Sequence, residues 1–146
     1  MPVEIKTQDV DRIVQQIGEE IAKRTNQATQ LVRNDAVQAL NRSQPTRRTA
    51  GGRTVGLDPS KPGEPPKRVS SRLLRDVQAR VERLGTKVRG VVYTTVKYAR
   101  LLELGGARVA ARPFLRPAFR GRKETIRQLL GGQVKLRLPK LRKRSR

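Results

Sequence analysis

Apolar residues recur at spacings of three and four from Val10 to Leu40: Val10, Ile13, Val14, Ile17, Ile21, Leu31, Val32, Ala36, Val37 and Leu40. That period places them on one stripe of an amphipathic helix. Thr7 reads as its N-cap, with Asp9 and Asp11 where acids favour the positive end of the helix dipole. The pattern thins at Thr25-Asn26, where the helix either continues or breaks; unbroken, it would be about 50 Å long at roughly 1.5 Å per residue. No heptad with flanking charge pairs accompanies the stripe, so the helix is expected to pack on a sheet. Val3–Lys6 reads as a short strand ahead of it.

Farther along, Val77, Ala79 and Val81 alternate with Gln78, Arg80 and Glu82. This is strand periodicity. Gly85-Thr86 turns the chain and the Val-rich KVRGVVYTT returns, which predicts a β-hairpin. Ser71–Asp76 reads as a helical turn before it. Tyr98–Leu104 reads as a short helix stopped by Gly105-Gly106. Tyr98, Leu101, Leu102 and Leu104 are expected on one of its faces. Pro117 suits the first turn of a last helix, with Phe119, Ile126, Leu129 and Leu130 as its apolar face and Gly131-Gly132 as its stop. Pro113 and Pro117 are each expected to hold the preceding residue extended. Residues 43–70 collect most of the prolines and many glycines. They read as an extended loop, either a disordered surface loop or an arm reaching a neighbour.

These elements predict an α+β fold, with a long N-terminal helix and a C-terminal helix packed on a small, mostly antiparallel sheet. Residues 1–132 form a single domain in this reading, with 43–70 as loop or arm, and 133–146 form a basic extension. Only 35% of the 146 residues are hydrophobic and 3% aromatic. A core so small is expected to lean on self-association or a partner.

Charge changes the picture further. The chain has 34 Lys+Arg against 12 Asp+Glu, a net +22. Residues 1–44 hold six of each, so the excess lies between Pro45 and Arg146. Such a balance points to nucleic acid, another polyanion or an acidic protein surface. No apolar run approaches the roughly 20 residues that span a membrane, so no membrane partner is expected. With neither cysteine nor histidine, disulfides, thiolate chemistry and the commonest base and metal ligand are excluded. The acids form no catalytic or metal-binding cluster, so no enzyme, cofactor or metal is expected. MPVEIKTQDV lacks the features of a signal peptide, which predicts a cytosol-like site of synthesis. GGRTVG and PSKPGEPPK match neither phosphate-loop pattern and read as loop.

Glu103 stands out as an acid in the apolar segment YARLLELGG. It reads as an ordered structural carboxylate, bonded to backbone amides or to an arginine of the 108–116 link. Phe114, Leu115 and Phe119 are the bulkiest expected anchors. In the tail, Lys135, Arg137, Lys140, Arg142, Lys143, Arg144 and Arg146 face no acid. Val134, Leu136 and Leu138 alternate with bases, as in a strand added to a neighbour's sheet edge. The tail is read either so, as an arm on DNA phosphates, or as a solvated basic extension. Without interleaved aromatics, stacking on single strands is not expected.

The order of these features resembles the neck and tail-completion family of tailed bacteriophages. The likeness covers about residues 3 to 130. It rests on Tyr98, Ala99, Glu103 and Gly105 of "YARLLELGG", followed by Ala111, Arg112, Pro113, Phe114, Leu115, Arg116, Pro117 and Ala118 of "ARPFLRPAF". Ser70-Ser71-Arg72-Leu73 departs from the family's small-Gly-Arg-Leu segment, and the tail after Gly132 lies beyond the family's last helix. The resemblance implies a non-enzymatic virion protein assembled in the host cytoplasm, with Tyr98, Ala99, Leu102, Glu103, Gly105, Arg112–Pro117 and Phe119 in packing and subunit contacts. It implies a homo-oligomeric ring, commonly six-fold, at the head–tail junction. Its partners would be an adaptor or head-closure protein on one side and a tail tube or terminator protein on the other. Double-stranded DNA would be touched non-specifically in the channel. A cellular protein that binds double-stranded nucleic acid non-specifically is the competing expectation.

Overall fold

The computed structural model describes residues 7–42, 46–50, 53–58, 60–67 and 71–133. The expected strand at Val3–Lys6 and the basic tail from Val134, with all seven of its candidate phosphate contacts, lie outside the described residues. Helix α1 runs unbroken over Thr7–Arg42. It does not break at Thr25-Asn26. The Thr25 hydroxyl donates to the Ile21 carbonyl at 2.8 Å and the Thr29 hydroxyl to the Thr25 carbonyl at 2.6 Å. Both threonines are buried, and bonding back to the preceding turn satisfies their hydroxyls without leaving the helix.

Within the segment expected to be loop, β1 (Thr46–Ala50) and β2 (Arg53–Asp58) pair antiparallel, with a register shift between Arg48 and Thr49. TRRTA has no large apolar residue and RTVGLD alternates only at Val55 and Leu57, too short a run for periodicity to reveal this hairpin. Farther along the segment, Ser60 and Gly63 are tied to the 111–112 link of the same chain. Gly63 N–H donates to the Ala111 carbonyl at 2.9 Å, and Arg112 Nε donates to the Ser60 carbonyl at 3.1 Å.

Helix α2 (Arg72–Asp76) leads into β3 (Gln78–Leu84), which pairs antiparallel with β4 (Lys87–Tyr93), Leu84 opposite Lys87 across the expected Gly85-Thr86 turn. Gly85 takes the left-handed conformation, φ +60°, that the two-residue turn needs. Arg33 Nε donates to the Val77 carbonyl at 2.9 Å and fastens this bend to α1. Helices α3 (Ala99–Leu104) and α4 (Leu115–Gly131) follow. The fold is therefore α+β, with a long N-terminal and a C-terminal helix beside small antiparallel sheets.

α1 is the central element, since β3, β4 and α4 all pack on it. β4 meets it where Gly90 lies over Thr29. A Cβ at position 90 would come within 2.0 Å of the Thr29 hydroxyl oxygen, so only glycine permits this approach. The core is a cluster of Val32, Ala36 and Leu40 from α1 with Leu73, Val77, Val96, Ala99, Phe114 and Ala118. Phe114 is 0% exposed.

Two apolar faces fall otherwise than expected. Tyr98, Leu101 and Leu104 are exposed and Leu102 half-buried, while Ala99 is the residue of α3 that enters the core. Phe119 is 54% exposed and Leu130 is also exposed. The buried side of α4 is Ala118, with Leu115 and Ile126 packed beside the core. A helix that runs along another helix buries only the stripe facing it, and Phe119 falls outside that stripe.

Candidate functional site

The segments YARLLELGG and ARPFLRPAF meet at the N-terminus of α4. A helix leaves its first four amide donors without intrahelical partners. In α4 these belong to Phe114, Leu115, Arg116 and Pro117. Glu103 Oε2 accepts from Phe114 N–H at 2.8 Å and from Leu115 N–H at 3.0 Å, and Oε1 accepts from Arg116 N–H at 2.8 Å. Pro117 has no N–H to satisfy. One carboxylate from α3 thus completes the whole first turn and places negative charge at the positive end of the dipole. Of the partners open to Glu103 in the sequence, the amides are the ones it takes. The same bonds explain why Arg116 lies inside the helix instead of extended before Pro117. Its amide is held in the helical position that the proline ring disfavours.

The link between the motifs folds tightly back. Gly105 N–H donates to the Leu101 carbonyl at 2.8 Å, and Gly106 and Val109 bond to each other. Arg112 N–H donates to the Leu102 carbonyl at 2.6 Å. Gly105 has φ +74° with ψ −178°, a conformation close to glycine-only. A Cβ there would stand 2.9 Å from the Ala111 amide nitrogen. Pro113 is half-buried beside the buried Phe114. Motif residues Ala99, Leu102, Glu103, Gly105, Arg112, Pro113, Phe114, Leu115 and Pro117 therefore belong to one structural corner. Tyr98 and Phe119 flank it with exposed rings.

α4 is also held at its middle and far end. Arg122 donates to both carboxylate oxygens of Asp35, Nε to Oδ2 at 2.6 Å and Nη2 to Oδ1 at 2.9 Å. Hydrogen bonding from Arg122 holds the Asp35 carboxyl below its ordinary range. At the C-terminus, Arg24 donates to the carbonyls of Gly132 and Gln133, while its Nε contacts Glu20 at 3.0 Å. A cation there complements the negative end of the dipole. The pairings 24 with 132 and 35 with 122 make α4 antiparallel to α1.

Sequence reading missed a second backbone-binding carboxylate, Asp76. It accepts from the Thr94 and Thr95 hydroxyls and from the Thr95 and Val96 amides. These bonds, the Thr94 hydroxyl foremost, pull its pKa to about 2. The only signal in sequence is a Thr-Thr pair after a strand.

The outer face of α4 presents Arg116, Arg120, Lys123 and Arg127, all exposed. Spacings of four, three and four align them in one ridge about 16 Å long at roughly 1.5 Å per residue. Among the described residues, Arg116, Arg120 and Lys123 have no acidic partner, and Arg127 lies 3.6 Å from Glu124 on the same helix. Beside the ridge runs a groove of about 480 Å³ between α1, β4 and α4, lined by Thr25, Val32, Val92, Phe119, Ile126 and Leu130 among others. The groove separates α4 from β4, so the corner sets α4 along α1 and not on the hairpin.

Comparison with protein-family models, curated proteins and solved structures finds no match to this chain.

Among the described residues, no group of acids is placed to hold a metal ion. Nor is any described helix long and apolar enough to cross a membrane.

Proposed function

We propose that this chain is a structural protein of the head–tail junction of a tailed bacteriophage, assembling as a ring around the DNA channel between the adaptor side of the head and the tail. The observation that carries this reading is the Glu103 cap. It turns the ordered pair of motifs into one mechanical unit, which gives a physical reason for their residue types and spacing. An acid at 103, a glycine at 105, and a Phe-Leu-Arg-Pro sequence entering a helix are each required by the same corner. Exposed Tyr98, Leu101 and Leu104 around α3, and exposed Phe119 on α4, supply apolar surface for a neighbouring subunit. The ridge on α4 supplies charge that meets DNA phosphates without reading bases.

The test is electron microscopy of lysates from the parent phage with an early stop codon in this gene. Filled heads and separate tails, with few joined particles, are expected. Normal joined and infectious virions would overturn the reading and leave non-specific duplex binding by the basic ridge and tail as the function.

A further inference from the structure

We propose that two copies of this chain pair through α1, each seating the exposed N-terminal half of its α1 in the other's groove between α1, β4 and α4. The inference does not depend on the phage reading.

Stripe and groove lie on one face of one unbroken helix. α4 faces α1 only as far as Arg24, where the guanidinium holds the Gly132 and Gln133 carbonyls. The turns of α1 before that point project beyond α4. They carry Val10, Val14 and Ile21 at 46%, 61% and 38% exposure, with Ile13 and Ile17 half-buried. At about 100° per residue, these positions continue the side of α1 on which Thr25, Ala28 and Val32 floor the groove.

The groove also has the width of a helix. α4 reaches α1 at Arg24 and Asp35, and β4 reaches it at Thr29. By helical position the two approaches are about 130° apart around α1. With packed elements about 8–10 Å apart, α4 and β4 then stand roughly 16 Å from each other, and a helix is about 10 Å across. The direction midway between them passes over Val32 in the groove, and over Val14 and Ile21 farther along. Phe119 and Leu130 on the groove wall are 54% and 48% exposed, so the groove presents apolar side chains with no helix laid on them among the described residues.

Charge and register select a second copy as the occupant. In a chain of net charge +22, residues 10–21 hold Asp11, Glu19 and Glu20 against the single base Arg12. α4 carries Arg116, Arg120, Arg122, Lys123 and Arg127 against Glu124. The acidic half of α1 therefore matches the basic wall of the groove, whereas pairing stripe on stripe would face acids with acids. The stripe spans 10–21 and the groove floor 25–32. Two α1 helices set antiparallel about a two-fold axis beside residue 22 lay each stripe over the other's floor. One self-complementary contact fills both grooves, while a parallel, head-to-tail arrangement fills one per contact. In this register Glu20 of each copy falls across from Arg24 of the other, on the side of α1 where α4 lies.

The chain has no cysteine, so a single substitution reports the axis. Ile21 and Lys23 are equally close to residue 22, yet about 200° apart around α1, and both are exposed. In the full chain, Ile21→Cys should form a disulfide-linked dimer under mild oxidation on the order of tenfold faster than Lys23→Cys, because only position 21 faces its own copy at bonding distance. As a second measurement, Val14→Lys on the stripe and Leu130→Lys in the groove should each weaken the dimer about tenfold or more in sedimentation, by burying an unpaired charge. Leu101→Lys, exposed on α3 outside the groove, should leave it unchanged. Equal cross-linking rates at 21 and 23, a chain that sediments as a monomer, or a dimer weakened as much by Leu101→Lys as by Val14→Lys would overturn the proposal.

Discussion

Glu103 and Phe114 are joined through a single bond, Oε2 accepting the Phe114 amide at 2.8 Å, while the Phe114 ring is fully buried in the core. Backbone and side chain of one residue thus serve two purposes: the amide starts α4 and the ring fixes where α4 starts. Replacing Phe114 by alanine should cost about 3–5 kcal/mol, from lost burial and the cavity left behind. Urea unfolding measures this directly, and a midpoint close to wild type would show that the ring is not the anchor.

Glu103→Ala should be milder, about 1–2 kcal/mol, the range of a lost N-cap. Glu103→Gln keeps one acceptor oxygen and should fall between wild type and alanine in thermal unfolding. An alanine variant as stable as wild type would mean that water caps α4 equally well.

The contact between Gly90 and Thr29 yields a reciprocal pair. Gly90→Ala should destabilise by roughly 1–3 kcal/mol through overpacking. Adding Thr29→Ala should recover much of that loss. It removes the hydroxyl oxygen 2.0 Å from the new methyl and leaves the Thr29 Cβ at 3.3 Å. A double-mutant cycle with no coupling would sink the account.

Asp76 makes stability depend on acid. Its pKa falls from 3.8 to about 2 on folding, so the ionised form favours the folded state. That contribution is complete above the unfolded value and is lost as pH falls through the window between the two values. The stability difference between wild type and Asp76→Asn should be level near neutral pH and shrink across that window. A difference that stays constant across it would mean that the carboxylate's charge is irrelevant.

The α4 ridge predicts a salt effect. Reversing Arg116, Arg120 and Lys123 to glutamate should weaken duplex binding at all sequences alike. It should also flatten the dependence of log K on log salt by about 1 per residue removed. An unchanged slope would place the DNA contacts elsewhere, the tail being the next surface to test.

Much of this fold is legible along the chain because local patterns and tertiary needs agree. The alternation of Val77, Ala79 and Val81 with Gln78, Arg80 and Glu82 gave β3. The α1 stripe gave its helix, and Glu103 stood out as an acid among leucines. What escaped depended on partners distant in sequence. The β1–β2 hairpin offers only Val55 and Leu57 at strand spacing, too little of a period to reveal it. Phe119 looked like core because it is large, yet its exposure follows from which side of α4 meets α1. Asp76 finds its four donors some twenty residues downstream, and no spacing rule foretells that. The register of α4 was equally hidden, since it is fixed by Arg24 and Asp35, charged residues that read as ordinary solvent-facing positions of α1.

That register has a mechanical consequence. Glu103 at one end, Asp35 in the middle and Arg24 at the other make α4 a clamped beam. Sliding it by one turn would break all three attachments at once, so it has no low-energy intermediate position. A pull applied at Gln133 is taken up first by Arg24 and passed into the long axis of α1, before the Phe114 corner feels any load. Held at both ends and in the middle, α4 can transmit force across the molecule.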